Sequence, residues 1–300
     1  MTAGAANTPL LFLVSLRPEQ WTKNTFVFAG LLFGGRLMEG PRYTVAAVST
    51  FAVFCGLSGA VYLLNDVADR STDAGHPLKR LRPIAAGQLA VSTAVVGAVL
   101  LAVGCLLGAF CLSPRLALVG GAYFALLTGY SFWLKHIVII DVLTIAGGFV
   151  LRAVAGAVAV SVSISPWLLI CVTLLALFLG LSKRRHELTL LGGEAGGHRP
   201  ILQAYSPYLL DQMISVVTAS TVIAYTVYTT NSDTAARVGS THLILTIPFV
   251  LYGVFRYLYL VHQEHGGGNP AAMLVTDPPL LTCVGLWTLA VAAILYQPWG

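Results

Sequence analysis

Charge is scarce in this chain: Asp, Glu, Lys and Arg together make up 10% of its 300 residues, against about 25% in an average soluble domain. So few charged side chains cannot give a globule of this length a hydrated surface, which excludes an ordinary soluble domain and makes lipid the expected solvent. Paired cysteines are missing too. Cys55, Cys105, Cys111, Cys171 and Cys283 lie inside or at the edge of apolar runs, and none forms a CxxC pair, so they read as small buried hydrophobes and not as a disulfide framework or metal site. His136, His186, His198, His262 and His265 show no convincing ligand spacing and read as polar loop residues. No Pro/Ser-rich linker or charge block divides the chain, so one domain over residues 1–300 is expected. The first fifteen residues lack a basic region, and Arg17-Pro18 follows the first apolar stretch; no cleavable leader is expected.

What the chain has in abundance is apolar length. Hydrophobic residues make up 57% of it, and its mean hydropathy is +0.81. A spanning helix needs about 20 mostly apolar residues. That ruler gives nine candidates at residues 20–37, 43–64, 89–112, 115–134, 138–160, 165–182, 209–230, 241–261 and 279–297. The first is the weakest, because Trp21, Lys23 and Asn24 place its start in an interfacial turn. The fold class expected is therefore an all-α polytopic membrane protein.

The formal net charge of +5 on a soluble protein would hint at nucleic acid. Here it reads as the bias of basic residues toward cytoplasmic loops, and no nucleic-acid partner is expected. With the N-terminus in the cytoplasm, that side holds Arg17, Lys23, Arg70, Lys79, Arg80, Arg82, Lys135, Lys183, Arg184, Arg185, Arg199 and Arg256. The outer side holds only Arg36, Arg42, Arg115 and Arg237. The expected location is the cell (inner) membrane, with the C-terminus outside. The long loops after the second, sixth and eighth spans carry most of the polar residues, so function is expected on the cytoplasmic face.

The sharpest motif is Asn65-Asp66-Val67-Ala68-Asp69-Arg70-Ser71-Thr72-Asp73, directly after an apolar run. On a continuing helix, with about 100° per residue, Asn65, Asp66, Asp69 and Asp73 share one stripe. Carboxylates that close repel unless a cation lies between them, and oxygen-only ligands suit Mg²⁺. The competing reading is a solvated acidic cap on a membrane helix, which would be costly beside lipid. The loop continues through Gly75 and Pro77, which should stop the helix, to Lys79, Arg80 and Arg82. Arg forks and a Lys point charge suit phosphate oxygens; the bland alternative is a basic loop that touches only headgroups. A second cluster, Lys183-Arg184-Arg185-His186-Glu187, places Lys183 and Glu187 one turn apart. A third holds Tyr130, Lys135 and His136, followed by Asp141, whose nearest cation in sequence is Lys135, with Arg152 deeper in the same span. Asp141 and Arg152 fit a polar cavity or a structural pairing equally well. Tyr205 and Asp211 open the next helix as weaker candidates.

These residues resemble the UbiA superfamily of membrane prenyltransferases: Asn65-Asp-x-x-Asp69-x-x-x-Asp73, then Tyr130-Ser-x-x-Leu134-Lys135. Arg17-Pro18-x-Gln20-Trp21-x-Lys23-Asn24 and His76-Pro-x-Lys79-Arg80-x-Arg82-Pro83-Ile-Ala-Ala-Gly87 are similar to the branch that acts on decaprenyl-type phosphate. So are Leu151-Arg152-Ala153 and Lys183-Arg184-x-x-Glu187-Leu188. The resemblance implies about nine transmembrane helices around a central cavity and a transfer of 5-phosphoribose from phosphoribosyl diphosphate to a polyprenyl phosphate. Asn65, Asp66, Asp69 and Asp73 would serve Mg²⁺ and the diphosphate, the three acids being catalytic. Lys79, Arg80 and Arg82 would hold ribosyl phosphate or leaving diphosphate. Lys135, Lys183 and Arg184 would receive the lipid phosphate, near Arg17, Gln20 and Lys23, and Tyr130, Arg152 and Glu187 complete the substrate-binding set. The product would be a precursor of a cell-wall arabinose donor. The aromatic prenyltransferase pattern has a second acidic DxxxD motif where this chain has Lys183-Arg184-Arg185-His186-Glu187. A prenyl transfer to an aromatic acceptor is therefore the first rival reading, and a transporter the second. The sequence shows no oligomeric state; the resemblance suggests a homo-trimer.

Overall fold

A computed structural model describes residues 8–191, 200–264, 268 and 270–296. Among them the chain is helical, with no strand. It opens with α1 (Thr8–Ser15), a 3₁₀ segment over Pro18–Phe28 and α2 (Ala29–Phe33). Then come α3 (Pro41–Ala68), α4 (Arg70–Ala74), α5 (Val91–Leu112), α6 (Pro114–Phe132), α7 (Ile140–Ala159) and α8 (Pro166–Leu191). The second half holds α9 (Pro207–Thr230), α10 (Ser232–Val238), α11 (Ile247–His262), α12 (Pro270–Thr276) and α13 (Pro278–Tyr296).

Seven helical stretches among the described residues are long and apolar enough to cross a membrane. Eight of the nine expected spans coincide with a helix; α6, with Arg115, Tyr123 and Tyr130 in its length, is the one of these outside the seven. The first expected span, 20–37, is not one helix. It is the 3₁₀ segment followed by a single α-turn or so, because its polar start at Trp21, Thr22, Lys23 and Asn24 gives no uniform lipid-facing surface.

Local chemistry explains the boundaries. Pro41, Pro114 and Pro207 each sit in the first turn of their helix, where a missing N–H costs nothing. Ser206 caps α9 by accepting from the Leu209 N–H at 3.1 Å. Gly75 closes α4, as expected from the sequence. The acidic helix, however, does not run on. It breaks at Asp69, and α4 starts afresh at Arg70, so the single straight stripe read from the sequence is bent at its third member.

Two apolar clusters flank the middle of the molecule. One packs Phe54, Leu57, Leu63, Leu116 and Tyr123 from α3 and α6 against Ala94, Ala98 and Ala102 of α5. Those alanines recur every four residues, the small-residue spacing that lets membrane helices approach closely. The other packs Val142, Phe178, Leu181, Tyr205, Leu210 and Tyr257 from α7 to α11. The N-terminal segment is seated on α7 backbone to backbone: a Cβ on Gly156 would lie 1.8 Å from the Val27 carbonyl oxygen. Successive crossings bring the C-terminal ends of α3, α6 and α8 and the N-terminal ends of α5, α7 and α9 to one face, and the polar residues gather there.

Candidate functional site

The acids at the end of α3 are met by four cations from three different segments. Arg17, held in a left-handed conformation (φ 52°) at the start of the 3₁₀ segment, pairs with Asp66 and lies over the Tyr62 ring. One nitrogen of Arg82, Nη1, donates to Asp66 Oδ1 at 3.2 Å and to Asp73 Oδ2 at 2.5 Å. Lys79 Nζ stands 4.0 Å from Asp73 Oδ1. Lys135, from the short turn after α6, pairs with Asp69, which also accepts from Asn65 Nδ2 at 3.1 Å. Asp66 and Asp73 are buried, while Arg82 and Asp69 are 25% and 29% exposed.

The sequence reading asked three carboxylates to share one cation. In the structure each finds a side-chain cation, and only Asp66 and Asp73 share one. Among the described residues, no three His, Cys, Asp or Glu side chains form a group shaped to hold a metal ion. Asp66 and Asp73 do converge on a single cationic centre, Arg82 Nη1, and their donors are oxygens only. That fits Mg²⁺, which takes one or two carboxylates and fills its other positions with water and phosphate.

A second cluster is sealed. Arg184 donates through Nε to Asp141 Oδ2 at 3.0 Å and through Nη1 to Glu187 Oε2 at 2.5 Å, with the Tyr130 hydroxyl 3.5 Å from Nη2. Tyr205 donates its hydroxyl to Asp141 Oδ1 at 2.8 Å and accepts from the Ile139 N–H at 2.7 Å. Arg184 is 2% exposed and Asp141 0%. Lys183 reaches Glu187 at 4.0 Å, the one-turn pair expected. Lys135 is therefore not the partner of Asp141; it serves Asp69.

Below the acid row lies a third group. Arg152 donates through Nε to Asn24 Oδ1 at 2.7 Å and through Nη2 to the Tyr123 hydroxyl at 2.6 Å, with its guanidinium over the Tyr123 and Phe149 rings. Asn24 Nδ2 donates to Ser58 Oγ at 3.2 Å and to Cys55 Sγ at 3.3 Å. Here the question left open between cavity and structural pairing is answered in favour of neutral partners for Arg152.

Gln20 and Lys23 are half-buried in the 3₁₀ segment, and Arg80 is exposed and pairs with none of the acids of the row among the described residues. Asp211 pairs with Arg185 and His262, away from the acid row. His198, Arg199 and His265 lie outside the described residues, as does the side chain of Arg237. Sequence reasoning missed Asn24, Ser58, Tyr62 and Tyr123 as parts of the polar interior. The available signal was that each is a polar group within or beside an apolar span, where an unsatisfied partner is expensive.

The model of the UbiA prenyltransferase family matches residues 24–187. The chain belongs to this family. Its acid row, basic loop and the α7–α8 cluster all lie inside the matched stretch. The chain is also similar to decaprenyl-phosphate phosphoribosyltransferase of Corynebacterium glutamicum, 33% identical over 287 residues that cover 94% of this chain and 86% of the relative. The protein of the same name from Mycobacterium tuberculosis is 33% identical over 299 residues, covering 98% and 97%. Nodulation protein NoeC of Azorhizobium caulinodans is 26% identical over 305 residues, covering 97% and 96%. Among solved structures, a UbiA homolog from Archaeoglobus fulgidus bound to GPP and Mg²⁺ superposes with a TM-score of 0.73 at 17% identity, covering 96% of this chain and all of that one. An apo UbiA homolog from Aeropyrum pernix gives 0.62 at 17% identity, covering 90% and 97%. This likeness establishes the UbiA fold of a multi-pass membrane protein, and the family match with the relatives at 33% identity makes the chain a transferase.

Proposed function

We propose that the protein transfers 5-phosphoribose from phosphoribosyl diphosphate to a polyprenyl phosphate of the decaprenyl type, releasing diphosphate. The observation that carries this reading is the balance of charge at the face. Arg17, Lys79, Arg82, Lys135, Lys183 and Arg184 surround Asp66, Asp69, Asp73 and Glu187, with Lys23 and Arg152 beneath. Cations exceed acids, as two phosphorylated substrates require. The names of the relatives at 33% identity point the same way.

A phosphate oxygen of the lipid attacks the anomeric carbon, the bond from that carbon to the diphosphate oxygen breaks, and diphosphate leaves with the electron pair. The nucleophile is already an anion, so no strong base is needed; positioning and charge neutralisation carry the rate. Asn65, Asp66, Asp69 and Asp73 would hold Mg²⁺, which when bound neutralises diphosphate charge. Arg82 and Lys79, on the loop after α4, move from carboxylate to phosphate oxygens with little change of position. Lys135 and Lys183 line the route of the lipid phosphate, and Arg184, tied to Asp141, Glu187 and Tyr130, fixes the ends of α7 and α8 that frame it. The tail runs in apolar grooves between helices, and the active face is cytoplasmic.

Membranes carrying the protein, incubated with label in the ribosyl group of phosphoribosyl diphosphate and with polyprenyl phosphate, should yield a lipid-soluble label that depends on Mg²⁺. A lipid product formed only from a prenyl diphosphate and an aromatic acceptor would replace this reading by the rival one. Substrate movement down a gradient with no bond formed would replace it by transport.

A further inference from the structure

Lys135 reaches Asp69 from a turn, not from a helix, and the backbone on the far side of that turn is strained. The short turn Leu134–His136 hangs between α6 and α7. On the α6 side it is tied by ordinary bonds: the Trp133 N–H donates to the Gly129 carbonyl at 2.9 Å, and the Ile137 N–H to the Leu134 carbonyl at 3.2 Å. On the α7 side stands Ile139, with φ 69° and ψ −43°. A β-branched residue at positive φ is an outlier, because its Cβ crowds the neighbouring backbone. Such a conformation persists only where the surroundings hold it.

The side-chain group that holds it is one hydroxyl. Tyr205 Oη accepts from the Ile139 N–H at 2.7 Å and donates to Asp141 Oδ1 at 2.8 Å. Tyr205 is 4% exposed and Asp141 0%. The other oxygen of Asp141 accepts from Arg184, so the carboxylate is fixed and fixes the hydroxyl in turn. The Ile139 side chain itself does little to hold the conformation, being 45% exposed. Val138, beside it, packs into the same apolar cluster as Tyr205. The 3₁₀ segment Pro200–Ala204, which delivers Tyr205, lies against the Lys135 turn. A chain of contacts therefore runs from the sealed Arg184–Asp141 pair, through one phenol, to the turn that serves the acid row.

We propose that Tyr205 is a positioning residue: through the strained backbone at Ile139, its hydroxyl sets the turn that presents Lys135 to the acid row and its substrates. That Lys135 then meets a phosphate rests on the phosphoribosyl-transfer reading; that Tyr205 sets Lys135 does not. Without the hydroxyl, Ile139 relaxes to the ordinary negative range of φ. That rotation, four residues after Lys135, swings the turn and parts Lys135 from Asp69.

The test uses purified full-length protein in detergent and two readouts. One is turnover of labelled phosphoribosyl diphosphate with farnesyl phosphate. The other needs no substrate: the rate at which Lys135 is acetylated by a water-soluble N-hydroxysuccinimide ester, read by mass spectrometry with Lys79 as internal reference. Tyr205→Phe deletes the hydroxyl and keeps the ring in its apolar cluster. It should cut turnover about 10–100-fold and speed Lys135 acetylation severalfold. Ile139→Pro reaches the same end without touching the buried cluster. It fixes φ at about −65°, removes the N–H that Tyr205 accepts, and is tolerated at the start of a helix. It should show the same two changes, so the inference stays falsifiable even if Tyr205→Phe does not fold. Adding Ile139→Gly, which adopts positive φ readily, should rescue part of the Tyr205→Phe loss. In Lys135→Met protein, Tyr205→Phe should cost little further turnover, whereas a tyrosine that merely supported the fold would cost the same in both backgrounds. Wild-type acetylation of Lys135 in folded Tyr205→Phe or Ile139→Pro overturns the inference, and so does an equal turnover loss with and without Lys135. If labelled ribose never enters lipid, the reaction reading fails and the acetylation rates alone decide this inference.

Discussion

Two carboxylate–cation clusters share one face of this molecule, and they are built differently. At the α3 end, the cations that meet Asp66, Asp69 and Asp73 come from Arg17, Arg82 and Lys135, on segments that are neither part of α3 nor deeply buried. At the α8 end, Arg184 and Asp141 are almost wholly removed from solvent, and Tyr205 closes the remaining side. A pair this buried, enclosed by Glu187, Tyr130 and Tyr205, presents little surface to a ligand. A row whose cationic partners are partly exposed and sit on loops can exchange them. The difference assigns chemistry to the first cluster and helix docking to the second, joining α7, α8 and the approach to α9.

The comparison breaks most visibly at Arg184. Arg184→Ala leaves Asp141 charged and buried without its partner, which costs about 3–5 kcal/mol, so the protein should lose its folded, monodisperse peak in detergent gel filtration. Replacing Asp141 by Asn in that background should restore part of the yield. Next come the acids of the α3 row. Asp69→Ala or Asp73→Ala should cut turnover by about 10²–10³-fold or more, with the melting temperature changed less than in Arg184→Ala, because Lys135 can turn to water and Arg82 keeps Asp66. Wild-type turnover in either purified variant would remove the acid row from the chemistry.

A smaller effect tests the seat of the N-terminal segment. Gly156→Ala forces the Val27 backbone away from α7 and should cost about 1–3 kcal/mol, seen as a lower melting temperature together with weakened substrate binding. Smallest is Arg256→Ala, far from both clusters. Arg256 holds Asp277 through two hydrogen bonds at 3.2 and 2.7 Å, and those bonds lower the carboxyl's pKa below its ordinary value. The pair is solvent-screened, so the loss should be the smallest of the set. Its sign is fixed: a depressed carboxyl contributes stability above its unfolded pKa of about 3.9, and that contribution disappears as pH falls through the lower folded value. Melting temperatures of wild type and variant should therefore converge on acidification.

Much of this was legible in the residues. Eight spans could be located because a run of about 20 apolar residues has few other uses. The acid row and the basic loop were visible because charge beside lipid is costly enough to need a reason. What local sequence does not encode is pairing across the bundle. Lys135 is six residues from Asp141 yet serves Asp69, 66 positions away, and Arg184 reaches back 43 residues to Asp141. The break at Asp69 was equally invisible, since the Asn65-to-Asp73 run contains no helix-breaking residue and the bend accompanies pairing with cations from separate segments. Asn24 and Tyr123 were hidden for the same reason, because their importance lies in Arg152, which arrives from another helix.

The contrast between the two clusters is tested most directly by Mn²⁺ binding, followed by electron paramagnetic resonance on purified protein with phosphoribosyl diphosphate present. Wild type should bind the ion, Asp69→Ala and Asp73→Ala should lose it, and Asp141→Asn, if folded, should keep it. Undiminished Mn²⁺ binding in the α3-end variants, or its loss only in Asp141→Asn, would contradict the assignment of chemistry to the α3 end.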